Sequence, residues 1–169
     1  VLGSVESVEI ASHSGFDFVL VDWEHGAFSR DQMRESVRAV QTTEATAIGR
    51  PYSQGLGQSK WLLDMGYSGL LVPMVKSAAE AEAVVEAAYY PPRGHRAQGA
   101  SRANLFHGSD YRQKFNKELL LMVIVEDVTG VENCDLIAQV EGVSGIFIGA
   151  TDLASSMKVA LTAEGGPAD

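Results

Sequence analysis

Cysteine is nearly absent: Cys134 is the one example in 169 residues, so no internal disulfide can form. That usage is what a reducing compartment such as the cytoplasm leads one to expect. Asn133 and Asp135 flank it without a cation to activate the thiol, which reads as structural or surface. Long hydrophobic runs are missing too; nothing reaches the roughly 18 apolar residues of a membrane-spanning helix. The opening VLGSVESVEI has neither the basic start nor the apolar stretch of a signal peptide, so none is expected there. Positive charge is scarce as well: 13 lysines and arginines face 22 aspartates and glutamates, a net charge of −9. Nucleic acid is therefore a poor partner, because its phosphates call for a basic face. A small anionic substrate stays open, since a few local cations decide that binding.

What the chain does have is apolar residues, 46% of the total, enough to bury a core. Its size points to one domain over residues 1–169. Short apolar runs recur at FDFVLV from Phe16, ATAIG from Ala45, GLLVPMV from Gly69, LLLMVIV from Leu119 and GIFIG from Gly145. None alternates apolar with polar, which is how strands covered on both faces read. Helix-like stretches lie between them: Ser29–Val40 with Met33, Val37 and Val40 on one stripe, Gln58–Met65 stopped by Gly66, and Ser77–Ala88. Ser29 and Ser77 stand where N-caps belong. Tyr89–Lys117 reads as an insertion opened by the loop sequence YYPPRGHRAQG. Strands alternating with helices imply an α/β fold with a parallel sheet.

Polar residues gather just after these strands. Asp22, Glu24 and His25 follow the first, Arg50 the second, Glu126 and Asp127 the LLLMVIV strand, and Asp152 the GIFIG strand. Ionisable groups at the carboxyl ends of parallel strands describe the active face of a (β/α) barrel. They equally describe the ligand edge of an open doubly wound sheet. Glu126 and Asp152 follow successive strands, so they should be neighbours. Two carboxylates without a nearby His or Cys suit a hard divalent cation; each alone would equally serve as a helix cap. Arg50 precedes Pro51, which holds its backbone extended. Its guanidinium could grip a carboxylate bidentately or make an ordinary ion pair. His25 is the natural general base at neutral pH, with Asp22 or Glu24 to orient it. His13, His95 and His107 share no such rim.

The segments GFDFVLVDWEHG, IGRP, LLDMGYSGLLVPMV, YPPRGHRAQG and GIFIGATDL together resemble the HpcH/HpaI family of class II 2-oxo acid aldolases, relatives of 4-hydroxy-2-oxoheptanedioate aldolase and macrophomate synthase. The resemblance runs through nearly the whole chain. It implies a (β/α)8 TIM barrel and a lyase that makes or breaks the bond between a pyruvate unit and an aldehyde. Glu126 and Asp152 correspond to its metal ligands for Mg2+ or Mn2+, with Co2+ as a further candidate. Arg50 corresponds to the arginine on the 2-oxo acid, His25 to the acid/base and Asp22 to its carboxylate partner. Asp64 corresponds to an acidic residue that reaches a neighbouring subunit's site. Backbone groups of Gly149, Ala150, Thr151 and Asp152 would hold the substrate carboxylate. Relatives assemble as homo-oligomers, usually hexamers. Lys60, Lys76, Lys114, Lys117 and Lys158 lie in helices or loops, so a Schiff-base aldolase is not expected.

Three departures from the family pattern stand out. Ile124 occupies the place of a common Gln, Gly149–Ala154 lacks the Pro and Ser of GPxDLS, and a full barrel of this type needs about 250 residues. About six βα units are expected here, with Val1–Leu2 as the tail of a first strand and the C-terminal part of the barrel missing. Two other activities share the same first contacts: a decarboxylase–cyclase and a CoA-ester lyase. A non-enzymatic, truncated barrel used for assembly is the remaining alternative.

Overall fold

A computed structural model describes residues 3–159 of the chain. The order is α1 (Val5–His13), β1 (Phe18–Asp22), α2 (Arg30–Val40), β2 (Thr46–Arg50), α3 (Leu56–Asp64), β3 (Gly69–Val72), α4 (Ala78–Ala88), α5 (Ser101–His107), α6 (Tyr111–Glu118), β4 (Leu120–Val125), α7 (Val128–Glu132), α8 (Cys134–Ala138), β5 (Gly145–Ile148) and α9 (Ala150–Ser156). The expected Val1–Leu2 strand lies outside the described residues.

Local chemistry explains the helix starts. Ser29 accepts the Gln32 N–H at 3.2 Å while the Gln32 side chain accepts the Ser29 N–H at 2.8 Å, a complete capping box for α2. Ser77 accepts the Glu80 N–H at 3.2 Å and starts α4. Met33, Val37 and Val40 are fully buried, as the stripe on α2 requires. Gly66, at φ +97°, follows α3 in a conformation that glycine adopts without strain.

The five described strands pair in parallel in the order β1-β2-β3-β4-β5. A doubly wound sheet reverses its strand order at a switch point; this one never does. Its two faces differ as well. Val19, Val21, Leu70, Val72, Leu121 and Val123 share a core with Met33, Val37, Leu62, Leu63, Val84 and Ile137 from the helices. The opposite face holds Ile48, Leu71 and Ile124, against which, among the described residues, only the strand residues Leu120 and Met122 pack. Helices on one face and strand side chains alone on the other define part of a (β/α) barrel, with the second face as its interior. Phe18, Leu20 and Phe147 lie on that interior face and remain exposed.

The insertion is more ordered than a loop: it contains α5 and α6. Arg96, 2% exposed, sits at its centre with its guanidinium 4.6 Å from the Tyr90 ring and 4.3 Å from that of Phe115. It donates to Asp64 Oδ1 at 2.8 Å and to the Tyr111 hydroxyl at 3.1 Å, which ties the insertion to the end of α3. Cation–π contact and the ion pair together make burial of that charge tolerable.

Candidate active site

Strand register sets the first pair. Asp22 stands opposite Arg50 where β1 and β2 end. Arg50 Nε donates to Asp22 Oδ1 at 2.7 Å and Nη2 donates to Oδ2 at 2.5 Å, a bidentate fork. Burial is the largest influence on the Asp22 carboxyl and would raise it. The Arg50 hydrogen bond and charge, with two backbone donors, outweigh burial and hold Asp22 below the usual carboxylate range. Its other partners are the N–H groups of Glu24 at 3.0 Å and His25 at 3.2 Å, so Asp22 also folds the loop after β1. The expected partnership of Asp22 with the His25 imidazole is thus replaced by one with Arg50 and the His25 backbone.

The third nitrogen of Arg50, Nη1, lies 3.3 Å from Glu24 Oε2. That oxygen is within ion-pair distance yet makes no aligned hydrogen bond. Burial raises the Glu24 carboxyl, against the pull of Arg50 and His25. His25 Nε2 stands 3.7 Å from the same oxygen, with its side chain 58% exposed. Of Asp22, Glu24, His25 and Arg50 it is the side chain most open to solvent.

Glu126 follows β4 and is 5% exposed. Its Oε1 accepts the Met74 N–H at 2.8 Å. Met74 achieves this at φ +61°, a strained setting for a residue with a side chain, just past Pro73 at the end of β3. Burial raises the Glu126 carboxyl; the Met74 donor opposes that, and the charge of Asp152 adds to it. Gly149, after β5, is the only residue type that fits beside it: a Cβ there would lie 2.5 Å from Glu126 Oε2. Asp152 stands in the first turn of α9, whose start has no side-chain cap among the described residues.

These groups converge on one cleft of about 590 Å³ at the carboxyl ends of the strands. His25, Arg50, Glu126, Gly149, Ala150, Thr151 and Asp152 all line it, and Ile124 and Phe147 form its apolar floor. Asp22 stands behind Arg50, outside this lining. Asp64 is at the far end of α3, towards the amino ends of the strands, and is held by Arg96. The chain itself does not bring it to the cleft. A groove of about 660 Å³ between α4 and α8 is larger, but its ionisable residues, Glu82, Glu86, Arg93 and Glu141, are all exposed and none stands at the carboxyl end of a strand.

The donor set can be tested against a divalent ion. Among the described residues no three His, Cys, Asp or Glu side chains could hold an ion by themselves. Glu126 and Asp152 are two oxygen donors, and the charge of Asp152 raises the proton affinity of Glu126, a repulsion that a shared cation relieves. Ile124, fully buried in the floor, offers no donor. Two carboxylates with open positions fit Mg2+ or Mn2+, which keep waters and substrate oxygens in their shell.

Sequence reasoning missed the Met74 N–H, because a backbone donor in a left-handed turn has no signature in residue type. Pro73 before it was the available hint.

Known proteins share this arrangement of strands. The chain is similar to a hydroxypyruvate/pyruvate aldolase from Pseudomonas aeruginosa, 39% identical over 152 residues that cover 88% of this chain and 57% of the relative. It is 38% identical, with the same coverage, to a 2-keto-3-deoxy-L-rhamnonate aldolase from Salmonella paratyphi B. It therefore spans little more than half the length of these curated relatives. A solved HpcH/HpaI aldolase/citrate lyase family protein from Burkholderia cenocepacia J2315 superposes with a TM-score of 0.85 at 29% identity, over 92% of this chain and 63% of that one. Since the family profile itself matches residues 2–167, the chain belongs to the HpcH/HpaI aldolase/citrate lyase family.

Proposed function

We propose that this chain, as part of one (β/α) barrel domain that takes in residues 1–169, carries the catalytic groups of a divalent-metal-dependent aldolase acting on 4-hydroxy-2-oxo acids. The observation that supports it most is the convergence of His25, Arg50, Glu126 and Asp152 on one cleft. Glu126 and Asp152 would hold Mg2+ or Mn2+. When bound, that ion supplies a Lewis acid for negative charge on the 2-oxo oxygen.

The remaining work falls to the chain. Nε and Nη2 of Arg50 are committed to Asp22, so the guanidinium cannot grip a substrate carboxylate with its full fork. It offers Nη1, suited to one hydrogen bond on the 2-oxo oxygen as charge develops there. The open backbone start of α9, at Ala150–Asp152, receives the substrate carboxylate. His25 takes the C4 hydroxyl proton as the C3–C4 bond breaks, and returns it to the aldehyde oxygen in synthesis. Glu24 orients that imidazole. Ile124 and Phe147 exclude water from the reacting carbons. Small 2-oxo acids and aldehydes as partners, assembly into a homo-oligomer such as a hexamer in which Asp64 serves a neighbouring site, and residence in the cytoplasm belong to the same proposal.

The test is pyruvate release from a panel of 4-hydroxy-2-oxo acids, coupled to lactate dehydrogenase. Release that requires Mn2+ or Mg2+, stops with EDTA and is lost in Glu126→Ala is expected. Metal-independent release, or none with any panel member, overturns the reading.

A further inference from the structure

The helix that carries Asp152 is lightly packed among the described residues. None of the 7 residues of α9 is buried. Leu153 and Ala154 are half-buried, so packing constrains the position of Asp152 only in part. One polar side chain reaches inward as well. Ser156 Oγ accepts the Val128 N–H at 3.1 Å and donates to Asp127 Oδ2 at 3.0 Å. Ser156 is four residues after Asp152, one helical turn along the same face. Asp127 directly follows Glu126.

Asp127 has a second partner on the same oxygen, Lys76 Nζ at 3.2 Å, from the segment between β3 and α4. The Lys76 carbonyl in turn accepts the Asn133 side chain at 2.9 Å. Capping of α7 explains only Asp127 Oδ1, which takes the Thr129 N–H at 2.9 Å. It leaves both contacts of Oδ2 without a purpose. Those contacts join three segments that follow β3, β4 and β5: the one before α4, the start of α7 and the end of α9.

We infer that Asp127, Ser156 and Lys76 form a clip that sets the separation of the Glu126 and Asp152 carboxylates, and so the affinity of the cation site. The three are positioning residues. None lines the cleft, and the inference rests on the proposed metal role of Glu126 and Asp152.

Two measurements on the whole protein test the clip: Mn2+ affinity by electron paramagnetic resonance, and amide hydrogen exchange along α9 without metal. Ser156→Ala is expected to weaken Mn2+ binding by about 10-fold, the scale on which partners of metal ligands act. It is also expected to speed exchange over residues 150–156. Ser156→Thr, which keeps the hydroxyl, should restore both. Asp127→Asn keeps an N-cap for α7 yet loses the Lys76 ion pair, and should weaken Mn2+ binding in the same direction. Ser156→Ala with wild-type affinity and unchanged exchange overturns the clip. Wild-type protein that binds no Mn2+ overturns the metal reading, and the spacing role falls with it.

Discussion

Burial and the charge of Asp152 both favour the proton on Glu126, while the Met74 N–H, Arg50 and His25 oppose it; the net direction is upward. A carboxyl raised in the folded protein gives up its proton at higher pH than in the unfolded chain. Its ionised form therefore lowers stability at neutral pH, and that loss vanishes where both states are protonated, below about pH 4. Glu126→Gln removes the charge and retains an acceptor for Met74. We predict a higher Tm for this variant than for the wild type at pH 7 without metal, with a gain that shrinks as the pH falls toward about 4. Mn2+ should stabilise the wild type, by about 2.7 kcal/mol at 100 times Kd, and leave the variant unmoved. Thermal melts across pH, with and without Mn2+, check both parts. A lower Tm at pH 7, or a variant that still responds to Mn2+, contradicts them. Arg50 shows what sequence leaves open at this scale. Its residue type allowed a carboxylate grip or an ion pair, and only the register of β1 against β2 assigns most of its fork to Asp22.

Strands and their ends were the most legible elements. The apolar runs from Phe16, Ala45, Gly69, Leu119 and Gly145 became β1 to β5 with boundaries within a few residues, because strands covered on both faces leave an unbroken apolar signal. The insertion was not legible. α5 and α6 are short, and their order comes from aromatic packing around Arg96 that no local pattern encodes. The same packing engages Asp64 at the far end of α3, away from the cleft. The β5–α9 junction carries its own prediction. Gly149, at φ −83°, needs glycine for space, not for backbone freedom, since a Cβ would come within 2.6 Å of the Glu126 Cβ and 3.1 Å of Ile124. Gly149→Ala should lower stability by about 1–3 kcal/mol through overpacking and weaken Mn2+ binding by displacing the carboxylate. Urea denaturation and a Mn2+ titration measure the two. An unchanged unfolding midpoint with unchanged binding contradicts the close approach.

For the whole molecule, the residue pattern alone left a barrel and a doubly wound sheet open, because both gather polar residues at the carboxyl ends of strands, and the family resemblance implied the barrel. The choice is made by long-range facts: a strand order that never reverses, and helices confined to one face. The same topology brings His25, Arg50, Glu126 and Asp152, which are spread over more than a hundred residues, into one cleft. The pairing of Glu126 with Asp152 was legible because successive strands in a parallel βα series tend to be neighbours; the convergence of all four required the barrel's curvature.

The central claim is that this cleft stabilises charge on the oxygen of a 2-oxo acid whatever the aldehyde partner. Proton–deuterium exchange at the methyl group of pyruvate, followed by NMR, reads that step without an acceptor. We predict exchange with Mn2+ or Mg2+ present, none after EDTA, and none in Glu126→Ala. No exchange from folded, metal-loaded protein, or exchange that persists in Glu126→Ala, would contradict the account.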